Sequence, residues 1–146
     1  MTSIYLIGSL RNEGVPVVAN ELRRFGFDVF DDWYAAGPEA DDYWKAYEVG
    51  RGRALPEALK GYAARHVFEF DKHHLERCDI AILLMPAGKS GHLELGYAAG
   101  LGKTCYVCLD GDPERYDVMY GFCTDVFENQ AEMFKALAAD MAVLQL

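Results

Sequence analysis

Residues 79–103 read DIAILLMPAGKSGHLELGYAAGLGK, and the fold follows from how this stretch divides. Ile80–Met85 is a short, continuously apolar run, the pattern of a strand covered on both faces. Pro86 to Ser90 reads as a turn, and Gly91–Leu101 as a helix. TCYVCL, residues 104–109, is a second apolar strand. Strand, helix and strand in this order form a βαβ unit, which places the two strands parallel in one sheet.

Outward from this unit the alternation continues. SIYLIG (3–8) reads as a strand, and Val15–Phe25 as a helix with Val17, Val18, Leu22 and Phe25 apolar. Gly26 can end that helix ahead of the strand FDVF (27–30). A polar, aromatic-rich segment runs from Asp31 to about Arg53. Leu55 to Arg77 reads as helical, with Gly61 and Phe68 as candidate break points, and a last amphipathic helix covers about Gln130 to Val143. The expectation is an α/β chain with one domain over residues 1–146: a doubly wound, flavodoxin-like parallel sheet of about five strands, helices on both faces. Ligands of such sheets bind at the carboxyl ends of the strands. The loops there are GSLRN, the Asp31–Arg53 segment and PAGKSG.

The 146 residues carry a net charge of −9 with 51% hydrophobic and 13% aromatic content, which suits a folded domain and not a nucleic-acid polymer binder. No apolar run reaches the length of a spanning helix and no signal peptide is evident, so the expectation is a cytoplasmic protein without membrane contact. The four cysteines then read as buried thiols. Cys105 and Cys108 have CxxC spacing, but on a strand residues three apart face opposite sides.

Two motif readings of the central turn fail. A Walker loop needs glycine five residues before Gly88, where Leu83 stands. His92-Leu-Glu94 with Cys105-x-x-Cys108 approaches the zinc deaminase pattern, yet Thr104 replaces its proline and the cysteines lie on a strand. Lys89 and Ser90 either contact an anion at the helix start or act as a solvated residue and a cap. His74 with Cys78 makes a poor metal pair, so no metal or cofactor is expected.

Glu94 shares a helical stripe with Ala98 and Leu101, and Gly96 and Gly100 one turn apart would let that helix approach the sheet. The acid therefore faces inward, or else it is merely favoured by the helix dipole. Asp71 falls between Val67 and Leu75, with Cys78 beyond, and either faces inward too or caps a helix beginning at Lys72. Tyr5 is a core residue or reaches the crevice.

Together these residues resemble the nucleoside 2-deoxyribosyltransferase family, including the related 2′-deoxynucleoside 5′-monophosphate N-glycosidases. The resemblance rests on Tyr5-Leu-Ile-Gly8-Ser9-Leu-Arg11, Asp71, Leu93-Glu94-Leu95-Gly96-Tyr97-Ala98 and Gly102-Lys103, about half the chain. It implies cleavage or transfer at the N-glycosidic bond of a 2′-deoxynucleoside or its 5′-monophosphate. Glu94 would be the nucleophile at C1′, Asp71 the general acid and Tyr5 the hydroxyl that positions Glu94. Gly8, Ser9, Arg11, Gly88, Lys89, Ser90 and Gly91 would border the substrate. Six residues before the nucleophile the transferases have an Asp for the 5′-hydroxyl and the monophosphate hydrolases a Ser. Here Gly88 stands beside Lys89 and Ser90, which favours a 5′-phosphate.

The family also implies a homodimer or larger homo-oligomer with shared sites, for which Asp117-Val-Met-Tyr120 is a candidate contribution. Two alternatives remain: a TIR-like NAD glycohydrolase and a non-catalytic nucleotide-binding module. Trp33, Tyr34, Tyr43, Trp44 and Tyr47 suit base stacking, a lid, a satellite core or a subunit contact. Arg51 and Arg53 read as a mobile solvated loop.

Overall fold

The two apolar runs of the central stretch lie side by side in a computed structural model of the chain, which describes residues 1–144, and side chains as far as residue 141. In chain order the elements are β1 (Ser3–Ile7), α1 (Gly14–Arg24), β2 (Asp28–Phe30), α2 (Ala40–Gly50), α3 (Leu55–Ala58) and α4 (Tyr62–Arg77). They continue as β3 (Ile80–Leu84), α5 (Lys89–Gly100), β4 (Thr104–Cys108), β5 (Asp125–Phe127) and α6 (Gln130–Leu144). Short 3-10 turns cover Asp32–Ala36 and Val118–Phe122.

The five strands form one sheet in the order β2-β1-β3-β4-β5, with every neighbouring pair parallel. This is the flavodoxin-like doubly wound arrangement. The chain winds one way from β1 to β2 and the other way from β3 onward, so a crevice opens between β1 and β3 at their carboxyl ends.

Alternation along the strands divides the interior into two cores. Ile4 and Leu6 pack with Val15, Val18 and Leu22 of α1 and with Met133 and Leu137 of α6. Tyr5 and Ile7 face the other way and pack with Leu75 of α4, Leu83 of β3, and Leu95 and Ala98 of α5. Each fully buried Leu or Ile contributes about 1.5–3 kcal/mol of transfer free energy, so register on both faces is strongly fixed. Cys105 and Cys108 fall into opposite cores, as their spacing on a strand requires.

Several local expectations change. In α1 the inward stripe is Val15, Val18, Ala19 and Leu22, while Val17 is 68% exposed. The Leu55–Arg77 stretch breaks at Gly61 and runs unbroken through Phe68. The aromatic segment contains α2, and its end is not a free loop: Arg51 and Arg53 each approach the Glu48 carboxylate at 3.7 Å. Glu48 is buried. Trp33 serves the core, its Nε1 donating to the Leu6 carbonyl at 2.9 Å. No helix among the described residues is long and apolar enough to cross a membrane.

The glycine that brings α5 against the sheet is Gly91, not Gly96 or Gly100. A Cβ on Gly91 would stand 2.9 Å from Leu83 Cδ1 and 3.2 Å from Ile7 Cγ2, whereas Gly96 and Gly100 meet nothing within 4 Å. The helix also begins two residues early, at Lys89, with Gly88 as its N-cap and no side-chain cap. At its far end Gly102 takes φ +80°, and the Lys103 N–H returns to the Ala98 carbonyl at 3.1 Å, a glycine-terminated helix end.

Two alanine substitutions should therefore diverge. Gly91→Ala is expected to lose about 1–2 kcal/mol of unfolding free energy by overpacking, despite alanine's better helix propensity. Gly96→Ala should gain about 0.5–1 kcal/mol from that propensity. Urea unfolding of both variants checks the pair.

Candidate active site

Three chain segments deliver the site's ionisable groups to one face of the sheet. Tyr5 is the central residue of β1 and pairs in register with Ala81 of β3. Asp71 projects from the middle of α4, so it does not cap a separate helix. Glu94 sits in the second turn of α5, between the buried Gly91 and Leu95–Ala98 positions that seat the helix.

The three groups are mutually coupled. Burial raises the Tyr5 hydroxyl well above the usual phenol range, and the negative charges of Glu94 and Asp71 raise it further. The proton therefore stays on Tyr5 and is available for donation. Burial raises Glu94 to about 7; the Tyr5 hydroxyl beside it opposes the rise and the Asp71 charge adds to it. Asp71 is raised by burial. One Glu94 oxygen, Oε2, is buried without a hydrogen-bond partner.

Both acids thus resist ionisation, and burial keeps Glu94 about half protonated at neutral pH. The two carboxyls titrate as a pair, so the last proton leaves near the value of about 7 that Glu94 shows with Asp71 charged.

The remaining sequence candidates lie on the two loops that flank the crevice. Ser9 Oγ accepts from the Arg11 N–H at 3.1 Å, and the Arg11 guanidinium stands 3.4 Å from Asp42 of α2, both side chains exposed. Ser9, Arg11 and Gly88 line a cleft of about 220 Å³ together with Asn12, Pro86 and Ala87. Lys89 and Ser90 are exposed in the first turn of α5, beside Gly88. Gly8 is confined, since a Cβ there would meet Val15 Cγ2 at 2.9 Å. Gly91 serves packing.

A larger groove of about 300 Å³ lies elsewhere, between β2 and α4, lined by Asp28, Phe30, Asp32, Phe70, His74 and Arg77 among others. Neither cavity is lined by Glu94 or Asp71. Glu94 lies six residues beyond Gly88, roughly 9 Å along the helix axis, so the cleft and the Glu94 carboxyl occupy successive stations on α5.

Sequence reading did not find the contact between His92 and Tyr120, where His92 Nε2 lies 2.9 Å from the Tyr120 hydroxyl. In the sequence His92 stands out only through its partial match to a zinc deaminase pattern. Its position four residues after Gly88, one helical turn, was the available signal.

No protein-family model matches the chain, and no curated protein matches it either. Solved structures do. A 2-deoxyribosyltransferase from Bacillus psychrosaccharolyticus superposes with a TM-score of 0.60 at 21% identity, covering 90% of each chain. A CMP N-glycosidase from Clostridium botulinum gives 0.53 at 14% identity over 93% of this chain and 98% of that one. A conserved protein from Enterococcus faecalis V583 gives 0.61 at 12% identity over 92% and 96%. At these identities the likeness establishes the shared fold.

The raised Glu94 value has a consequence for stability. A carboxyl whose folded value, about 7, exceeds its unfolded value of 4.5 stabilises the fold while protonated and loses that contribution as pH rises through about 7. The loss amounts to about 3 kcal/mol at most. Glu94→Gln, which cannot ionise, should match wild type at pH 4 and exceed it by about 1–3 kcal/mol at pH 8.5. Thermal and urea unfolding across that range measure the divergence.

Proposed function

We propose that this chain cleaves or transfers at the N-glycosidic bond of a 2′-deoxynucleoside 5′-monophosphate, with Glu94 as nucleophile, Asp71 as general acid and Tyr5 as the hydroxyl that orients Glu94. The observation that carries this reading is that Tyr5, Asp71 and Glu94 lie on one face of the sheet, each partly removed from water, with one Glu94 oxygen buried and unpartnered. Two similar folds belong to a 2-deoxyribosyltransferase and a CMP N-glycosidase, which supports it.

In the proposed reaction a Glu94 oxygen bonds to C1′ as the C1′–N bond breaks, and the bonding pair leaves with the base. The transition state carries positive charge on the sugar, which the carboxylate stabilises. Asp71 transfers its proton to a base nitrogen, a contribution of about 10²–10⁴-fold. The glycosyl ester is then opened at C1′ by water or by a second base, and the proton from that nucleophile restores the acid.

The reactive form is the pair holding one proton, on Asp71, with Glu94 ionised. Tyr5 favours it by donating to Glu94. A 5′-phosphate suits the cleft because Arg11 offers a guanidinium there, and the first-turn N–H groups of α5 lie beside Lys89 and Ser90. Gly88 places no carboxylate against it.

Second, the exposed apolar side chains of α2, α3 and α4, among them Tyr43, Leu55, Leu59, Tyr62 and Phe68, each more than half exposed, form the contact of a homodimer. Light scattering should return twice the 16.3 kDa chain mass; a monomer at micromolar concentration contradicts this part.

Chromatography of reactions with 2′-deoxynucleosides, their 5′-monophosphates and NAD tests the activity. Base should be released from the monophosphates at least about tenfold faster than from the nucleosides, and no nicotinamide should appear. Release from NAD alone, or from none, refutes the reading. For the favoured substrate kcat/KM should fall as pH rises past about 7, where Glu94 and Asp71 lose their last shared proton. In Asp71→Asn the residual activity should instead rise with pH as Glu94 ionises.

A further inference from the structure

We infer that His92 is a positioning residue: bridging the Gly88 carbonyl and the Tyr120 hydroxyl, it fixes the turn that receives the sugar 5′-phosphate. This rests on the reading of the Ser9–Arg11–Gly88 cleft as the phosphate seat.

The geometry assigns the ring's proton. His92 Nδ1 lies 2.8 Å from the Gly88 carbonyl oxygen, and a carbonyl only accepts, so Nδ1 carries the hydrogen. Nε2 is then the acceptor, and the Tyr120 hydroxyl, 2.9 Å away, donates to it. Tyr120 is suited to that part because burial raises its pKa and keeps it protonated. The two rings also overlap, with centroids 5.8 Å apart and planes inclined by 27°.

The bridge joins elements far apart in sequence. Gly88 precedes α5 and lines the cleft, while Tyr120 sits in the 3-10 turn Val118–Phe122 and packs against the core beneath α5. Gly88 has no side chain to hold it and no neighbour within 4 Å of a Cβ position. Beyond the helical bond from the His92 N–H at 3.3 Å, the imidazole is what restrains its carbonyl. Without Tyr120 the ring has no acceptor duty at Nε2, is free to take its other tautomer, and then loses the donor to Gly88. The three groups therefore act as one unit.

The test uses 2′-deoxyribose 5-phosphate, which carries the sugar and phosphate but no base. Calorimetry should show Kd raised about 3–20-fold in Tyr120→Phe and in His92→Ala, with the double variant no worse than the weaker single. His92→Asn, whose amide can still donate to Gly88, should bind better than His92→Ala. Nitrogen-15 spectra should show Nδ1 protonated and Nε2 bare in wild type, and a shift toward the other tautomer in Tyr120→Phe.

Unchanged Kd values, penalties that multiply in the double variant, a protonated Nε2 in wild type, or no binding of the probe would each overturn the assignment. Base release by wild type, assayed alongside, separates the two ideas. Release with unchanged Kd values refutes the bridge alone, and coupled Kd values without release refute the glycosidic reading alone.

Discussion

Holding one carboxylate half out of water, beside a hydroxyl that cannot ionise, is the constraint on which the rest of the molecule depends. Glu94 reaches that position because α5 lies close on the sheet, and α5 lies close because Gly91 has no Cβ to meet Leu83 and Ile7. The same seating puts the carboxylate within the influence of Tyr5 on β1 and Asp71 on α4. Burial makes the anion costly, and a neutral glycosyl ester would remove that cost. In the proposed reaction the desolvation that raises Glu94 to about 7 thus favours bond formation at C1′, while Tyr5 keeps the anion accessible.

The architecture separates tasks that would conflict if shared. One sheet face, closed by α1 and α6, is wholly apolar and supplies stability. The other, under α4 and α5, admits Tyr5, Asp71 and Glu94 into an otherwise apolar setting. The proposed phosphate seat, Ser9, Arg11 and Gly88, stands apart from both, at the switch between β1 and β3. The first turn of α5 links the two zones, since it begins at the cleft and carries Glu94 within its second turn.

Much of this was legible in the sequence, for reasons that are local. The apolar runs at β1, β3 and β4 and the helical stripes between them gave the parallel sheet, and acids interrupting two stripes marked Glu94 and Asp71. What stayed hidden depended on partners distant in the chain. β5 is three residues long and has no periodicity to detect. Gly96 and Gly100 looked like contact residues by spacing, but which helix face meets the sheet is set by Leu83 and Ile7. Arg51 and Arg53 looked solvated because nothing local announces that Glu48 is buried between them. The pairing of His92 with Tyr120 spans 28 residues, and no motif reports it.

Peptide mapping of protein quenched in acid during turnover of a 2′-deoxynucleoside 5′-monophosphate tests the central claim most directly. The account predicts a deoxyribosyl phosphate adduct on the peptide containing Glu94, absent from Glu94→Gln, which should retain its fold and release no base. Turnover that leaves the Glu94 peptide unmodified and persists in Glu94→Gln would contradict it.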